Sequence, residues 1–166
     1  MLLTGSYERS LDEKLRIALP KRLRDVLAGQ EKLVVTLGTD GALAIFTEAA
    51  FAALADKLAA RSPTGPEVRA FSRLLYAQSQ SVEIDSQGRV RLPAELIRLA
   101  ALEDDVVLLG VGDRIELWNK SRWQAYSADL QPRYDQLAES ALTDLPTSSA
   151  AATSAQEQAG RPLQPR

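Results

Sequence analysis

Neither cysteine nor histidine occurs anywhere in the 166 residues. The first absence excludes disulfides and thiolate chemistry. The second removes the usual general base and the commonest metal ligand. No D-x-D-x-D-G spacing offers a carboxylate substitute, and no paired-carboxylate or phosphate-loop signature appears. An enzyme therefore ranks last among the function classes. Aromatic residues are scarce, at 5%. No apolar run approaches the ~18 residues of a membrane span, and the N-terminal MLLTGSYERS lacks the apolar stretch of a signal peptide. A cytoplasmic chain is expected, with no membrane, no metal, no cofactor and no small-molecule substrate. What remains is an ordinary globular balance of 45% hydrophobic and 25% charged residues.

The net charge of −2 does not advertise a polyanionic partner, but the charges are unevenly spread. Residues 1–30 hold six bases (Arg9, Lys14, Arg16, Lys21, Arg22, Arg24) against four acids. Residues 129–166 hold five acids against three bases, so an acidic tail partly hides a basic head.

The dominant pattern is an internal repeat. LDEKLRIALP at 11–20 returns as IDSQGRVRLP at 84–93. Asp12 matches Asp85, Arg16 matches Arg89, Leu19-Pro20 matches Leu92-Pro93, and Leu23 matches Leu96, all at an offset of 73. One residue is then lost, and Val34–Gly38 aligns with Val106–Gly110 at an offset of 72. Leu43, Ile45 and Phe46 continue as Ile115, Leu117 and Trp118, and Phe51 as Trp123.

Each copy parses into the same elements. A short strand ends near Asp12 or Asp85, and a turn leads to a strand through Ile17–Leu19 or Val90–Leu92. Pro20 and Pro93 suit the first turn of a short helix, since their missing N–H would be unpaired there. Two further strands follow, with turns at 38–41 and 110–113. Thr47 and Asn119 are expected N-caps of a closing helix. Between the copies, Pro63, Gly65 and Pro66 break the chain before a helix over Glu67–Tyr76. After about Ser140 the composition becomes Ala, Ser, Thr, Gln and Pro, and the tail is expected to be disordered. A fifty-residue β unit is too small for a comfortable core of its own. The expected fold is therefore mainly β with short helices (α+β), a pseudo-symmetric barrel whose halves interleave their hairpins.

In the repeated turn, Asp12 or Asp85 is placed to accept backbone N–H bonds, and Gly88 supplies a positive φ. Arg16 or Arg89 then starts the outgoing strand. A polar turn with a solvated Arg is a common strand connection. Its repetition instead suits a two-fold partner such as duplex DNA, whose guanine edges and phosphates arginine contacts. Lys21, Arg22 and Arg24 read either as the solvated side of an amphipathic helix or as backbone anchors, and Arg9, just before the first strand, as an addition to the same basic face. The aromatic matches, Phe46 with Trp118 and Phe51 with Trp123, read as core.

GSYERSLDEK-x-R, SVEIDSQGRVRLP and the connecting RAFSRLL together resemble the MraZ family of bacterial transcriptional regulators, over roughly residues 1–130. The resemblance implies two tandem SpoVT-AbrB modules joined as one swapped-hairpin, double-ψ-type barrel. It implies a ring-like homo-oligomer that binds short, G-rich direct repeats upstream of a cell-division and cell-wall gene cluster. The expected organisation is a first repeat over 1–60, a connector over 61–80 and a second repeat over 81–128. A short helical segment and tail fill 129–166. On this likeness Lys14, Arg16 and Arg89 touch double-stranded DNA, while Asp12, Asp85 and Gly88 shape the turns. An interaction scaffold using the same barrel without DNA is the alternative.

One departure stands out: Leu15 occupies the place of Gly88. If φ stays positive there, Leu costs about 1–2 kcal/mol. The expectation is that Leu15 sits in a modified turn and that DNA binding survives.

Overall fold

The computed structural model describes residues 1–61 and 65–143. Pro63 and residues 144–166 of the tail expected to be disordered lie outside them, while Ser140 to Leu142 of that tail are helical. Of the described residues, those up to Ala125 form one compact unit, and those from Tyr126 on belong to a second.

In the first unit the chain runs through β1 (Leu3–Ser10), β2 (Arg16–Ala18), α1 (Lys21–Val26), β3 (Lys32–Leu37), β4 (Leu43–Thr47) and α2 (Glu48–Ala59). It continues through α3 (Pro66–Gln78), β5 (Gln80–Glu83), β6 (Arg89–Arg91), α4 (Ala94–Leu99), β7 (Asp105–Gly112), β8 (Arg114–Asn119) and the start of α5 (Lys120–Leu130). The architecture is mostly antiparallel sheet with short helices, an α+β arrangement of two repeats. Six strands pair in the order β1-β7-β8-β4-β3-β5, and β2 pairs with β6 separately.

Most ladders join one repeat to the other. β1 pairs with β7, and β3 with β5, in matching registers: Ser10 faces Asp105 as Glu83 faces Lys32. β4 pairs with β8, with Leu43 opposite Leu117 and Ile45 opposite Ile115. β2 meets β6 with Ile17 opposite Val90, flanked by Arg16 opposite Arg91 and Ala18 opposite Arg89. Each of these pairings maps onto itself or its twin when the repeats are exchanged. The physical driver is burial: Ile17, Val90, Leu23, Leu43 and Leu117 are each 0% exposed in one shared core. Neither fifty-residue half supplies that core alone.

The helices follow their apolar positions. In α1, Leu23 is buried while Lys21, Arg22 and Arg24 face solvent; in α4, Leu96 takes the buried place. Pro20 and Pro93 stand immediately before these helices, at the cap rather than inside the first turn. Thr47 Oγ1 accepts the Ala50 N–H at 3.1 Å, and Asn119 Oδ1 the Arg122 N–H at 3.2 Å, so both capping residues act as such. The connector helix runs slightly longer than Glu67–Tyr76, with Pro66 in its first turn. Phe46 packs edge-on against Phe51 at 5.9 Å between ring centroids, and Trp118 tilts against Trp123 at 5.4 Å. Phe46 and Trp118 are both buried, at equivalent sites.

Two details correct the sequence alignment. Leu33, not Val34, is the counterpart of Val106, because Leu33 pairs with capping Thr47 as Val106 pairs with capping Asn119. The offset therefore stays at 73 through β3, and the lost residue lies in the hairpin turn. A one-residue slip reverses every side chain in a strand, and here Leu33, Val35, Val106 and Leu108 are the residues that enter the shared core. Gly110 and Val111 also belong to β7, paired with both β1 and β8, and Gly112 pairs with Leu3 of β1, so the second turn is tighter than a four-residue loop. A side chain at Gly110 would strike the backbone of Leu3 and Thr4 on the neighbouring strand.

In the second unit the end of α5 leads to a 3-10 turn (Gln131–Arg133) and α6 (Tyr134–Leu142). Arg133 bonds Asp129 at 2.9 Å one turn back, and Tyr134, Leu137 and Leu142 are exposed.

Candidate nucleic-acid interface

The two repeated turns are built alike, atom for atom. In the first, Asp12 Oδ1 accepts the N–H groups of Lys14 and Arg16, each at 2.9 Å. Its other oxygen, Oδ2, accepts from Arg16 Nε at 2.7 Å. In the second, Asp85 Oδ1 accepts from the N–H groups of Gln87 and Arg89, each at 2.9 Å, and Oδ2 from Arg89 Nε at 2.8 Å. The short Asp side chain closes the turn and orients the arginine with the same carboxylate. Because Asp engages Nε, the terminal amino groups of each guanidinium point onward. Arg16 and Arg89 keep 27% and 28% of their side-chain surface exposed.

The same contacts set the ionisation of the two carboxylates. The Arg16 backbone N–H does most to lower the pKa of Asp12; partial desolvation opposes it, and the Arg16 side chain and Lys14 N–H add to the lowering. Asp85 is lowered by the same causes from Arg89 and Gln87. Both are anions at neutral pH, so each turn's arginine has a carboxylate counter-charge that also orients it.

Leu15 does not remodel its turn. Its φ is 59°, beside 74° at Gly88, and Leu15 N–H donates to Asp12 O at 2.9 Å as Gly88 N–H donates to Asp85 O at 2.8 Å. The expected modified turn is thus corrected: the hydrogen-bond frame holds, and Leu15 is carried in the left-handed region at a cost of about 1–2 kcal/mol. The turns also bond across the repeats. Leu92 N–H donates to Leu15 O at 2.8 Å, and Leu19 N–H to Gly88 O at 2.9 Å. These bonds pin the carbonyl of each left-handed residue.

The other predicted basic residues fall in four places. Lys14 is exposed in the first turn, and Lys21 and Arg22 are exposed at the start of α1. Arg24, on the same helix, lies over Gly88 of the second turn rather than beside its own: a Cβ on Gly88 would stand 2.6 Å from Arg24 Nη1. Arg9 is not ahead of the first strand but inside β1, where Nη1 donates to Glu8 O at 2.8 Å.

Sequence reading overlooked Arg91. It is exposed, and the ladder sets it directly across from Arg16. The signal was present in the alternation of RIA and RVR, with Ile17 and Val90 buried and the flanking residues outward. Alternation names the outer face, but only register names the neighbour.

The family described as "MraZ protein, putative antitoxin-like" matches the chain twice, over residues 2–74 and 75–145. A protein of Heliobacterium modesticaldum named "Transcriptional regulator MraZ" is 39% identical over 135 residues, covering 81% of this chain and 93% of the relative. A namesake from Rhodococcus jostii is 42% identical over 141 residues, covering 85% of this chain and 97% of the relative.

Proposed function

Because the chain belongs to the MraZ family, we propose that it is a sequence-specific, DNA-binding transcriptional regulator without catalytic activity. Its targets are short direct repeats upstream of a cell-division and cell-wall gene cluster, and it works in the cytoplasm at the nucleoid. The observation that carries this reading is the duplicated Asp–Arg turn, which offers Arg16 and Arg89 outward from one two-stranded ribbon. Asp12, Asp85 and Gly88 shape the turns. Arg16 and Arg89 touch base edges or phosphates, Lys14, Lys21, Arg22 and Arg24 hold the backbone, and Arg9 borders the face. The two tandem repeats form a swapped-hairpin, AbrB-like barrel, a reading supported by the ladders that cross between them. The assembly is a ring-like homo-oligomer; the exposed Phe71, Leu74 and Tyr76 on α3 support self-association.

The test is an electrophoretic shift with duplex DNA from upstream of the chain's own gene. Wild type should retard it, and Arg16→Ala and Arg89→Ala should each weaken binding. If both variants bind as wild type does, the site is misassigned. Light scattering after size exclusion, with and without that duplex, tests the assembly.

A further inference from the structure

The outer face of the β2–β6 ribbon carries Arg16, Arg89 and Arg91, with Ala18 as its fourth member. Like charges directly opposite one another in an antiparallel ladder are destabilising, yet Arg16 and Arg91 face each other there. Asp12 engages Arg16, but among the described residues Arg91 has no ion-pair partner within 4.0 Å. Glu83 lines the same surface cleft as Arg91 and Leu15 without bonding to either. Arg24 is likewise without an ion pair among the described residues and reaches over Gly88, next to Arg89. The acids of the two turns, Asp12 and Asp85, are occupied by Arg16 and Arg89. Among the described residues, these four guanidinium groups thus form ion pairs with only two carboxylates, on a chain whose net charge is −2. A concentration of positive charge that the protein leaves uncompensated fits an anionic ligand with repeated charges.

The two extra cations have no twins. Exchange of the repeats carries Arg91 onto Ala18, and Arg24 onto Ile97. Each therefore serves the turn of the opposite repeat, Arg91 from a strand and Arg24 from a helix. Gly88 permits the second contact, since a side chain there would occupy the place of the Arg24 guanidinium.

We propose that each motif arginine works with a cation lent by the other repeat, Arg16 with Arg91 and Arg24 with Arg89, and that these composite pairs grip duplex phosphates. This rests on the DNA-binding reading above and adds Arg91 to the interface. It also moves Arg24 to the second turn.

The experiment is a salt titration of affinity for the upstream duplex, with wild type, Arg24→Gln, Arg91→Gln and, as a control, Arg98→Gln. Arg98 is exposed on α4 and lies 3.9 Å from Glu95. Losing one phosphate contact lowers the slope of log affinity against log salt by about 1 for each protomer bound. Arg24→Gln and Arg91→Gln should each do so, and Arg98→Gln should leave the slope unchanged. Arg91→Gln should keep or raise the melting temperature, because it removes a like-charge pair. Ala18→Arg, which supplies the missing twin, should steepen the slope. Wild-type binding with unchanged slopes in Arg24→Gln and Arg91→Gln overturns the inference and leaves the regulator reading standing. A fall in melting temperature that parallels lost binding in Arg91→Gln makes that residue structural and also overturns it. A wild-type chain that ignores the duplex overturns the regulator reading first, and the inference with it.

Discussion

Leu15 and Gly88 stand at the same point of the same turn, with φ of 59° and 74° and the same hydrogen bond back to an aspartate carbonyl. One repeat meets the left-handed requirement with the residue that bears it freely, and the other with one that does not. Half-burial of Leu15 beside Leu92 and Pro93 offsets part of the strain.

Leu15→Gly should therefore leave stability unchanged or raise it by up to about 1 kcal/mol, the relief of φ strain being reduced by lost packing and by glycine's chain entropy. Leu15→Val should destabilise, because a β-branched residue at positive φ is a true outlier. Thermal and urea melts of the three proteins check this ordering. A clear loss in Leu15→Gly would mean that packing, not strain, governs the position.

Acid should act on the turns at low pH only. Asp12 and Asp85 both have pKa values lowered from the ordinary 3.8. A carboxyl that takes up its proton less readily when folded stabilises the fold above its unfolded value. That contribution disappears as pH falls below 3.8 through the lowered folded value. The double variant Asp12→Asn/Asp85→Asn should be less stable at neutral pH and should show a flatter stability profile below about pH 4. Urea unfolding followed over that acid range tests it, and an unaltered profile would locate the acid-sensitive groups elsewhere.

Arg89→Lys separates charge from geometry. Asp85 takes the Nε of Arg89 and leaves the terminal amino groups outward, an arrangement a single ammonium cannot reproduce. The variant should keep the salt dependence of duplex binding while lowering affinity for upstream and scrambled DNA alike, because only the phosphate geometry is lost. Competition binding with the two duplexes checks this.

Ile17 and Val90 face each other at the centre of the ribbon, both fully buried. Ile17→Ala should cost about 2–5 kcal/mol, and the two repeats should unfold together because they share that core. Circular dichroism and tryptophan fluorescence should therefore give one transition. Trp118 and Trp123 both lie in the second repeat, so the fluorescence reports on the half that was not mutated.

The local content of this protein was legible in its residues. The spacing from Asp to Arg determines the turn, because one carboxylate reaches the N–H groups two and four residues on and the guanidinium as well. Alternation in RIA and RVR determines which side chains are buried, and Thr47 and Asn119 announce the helices they cap. The tertiary structure alone decided what crosses between the repeats. In the unbroken apolar run Val106–Leu109, periodicity holds no phase, so the site of the lost residue emerged only when the ladders joined Leu33 to Thr47 and Val106 to Asn119. The neighbours Arg16 and Arg91, and the reach of Arg24 over Gly88, depend on the register of strands far apart in sequence. That register is selected by burial of a common core, a property of both halves together that neither segment carries alone.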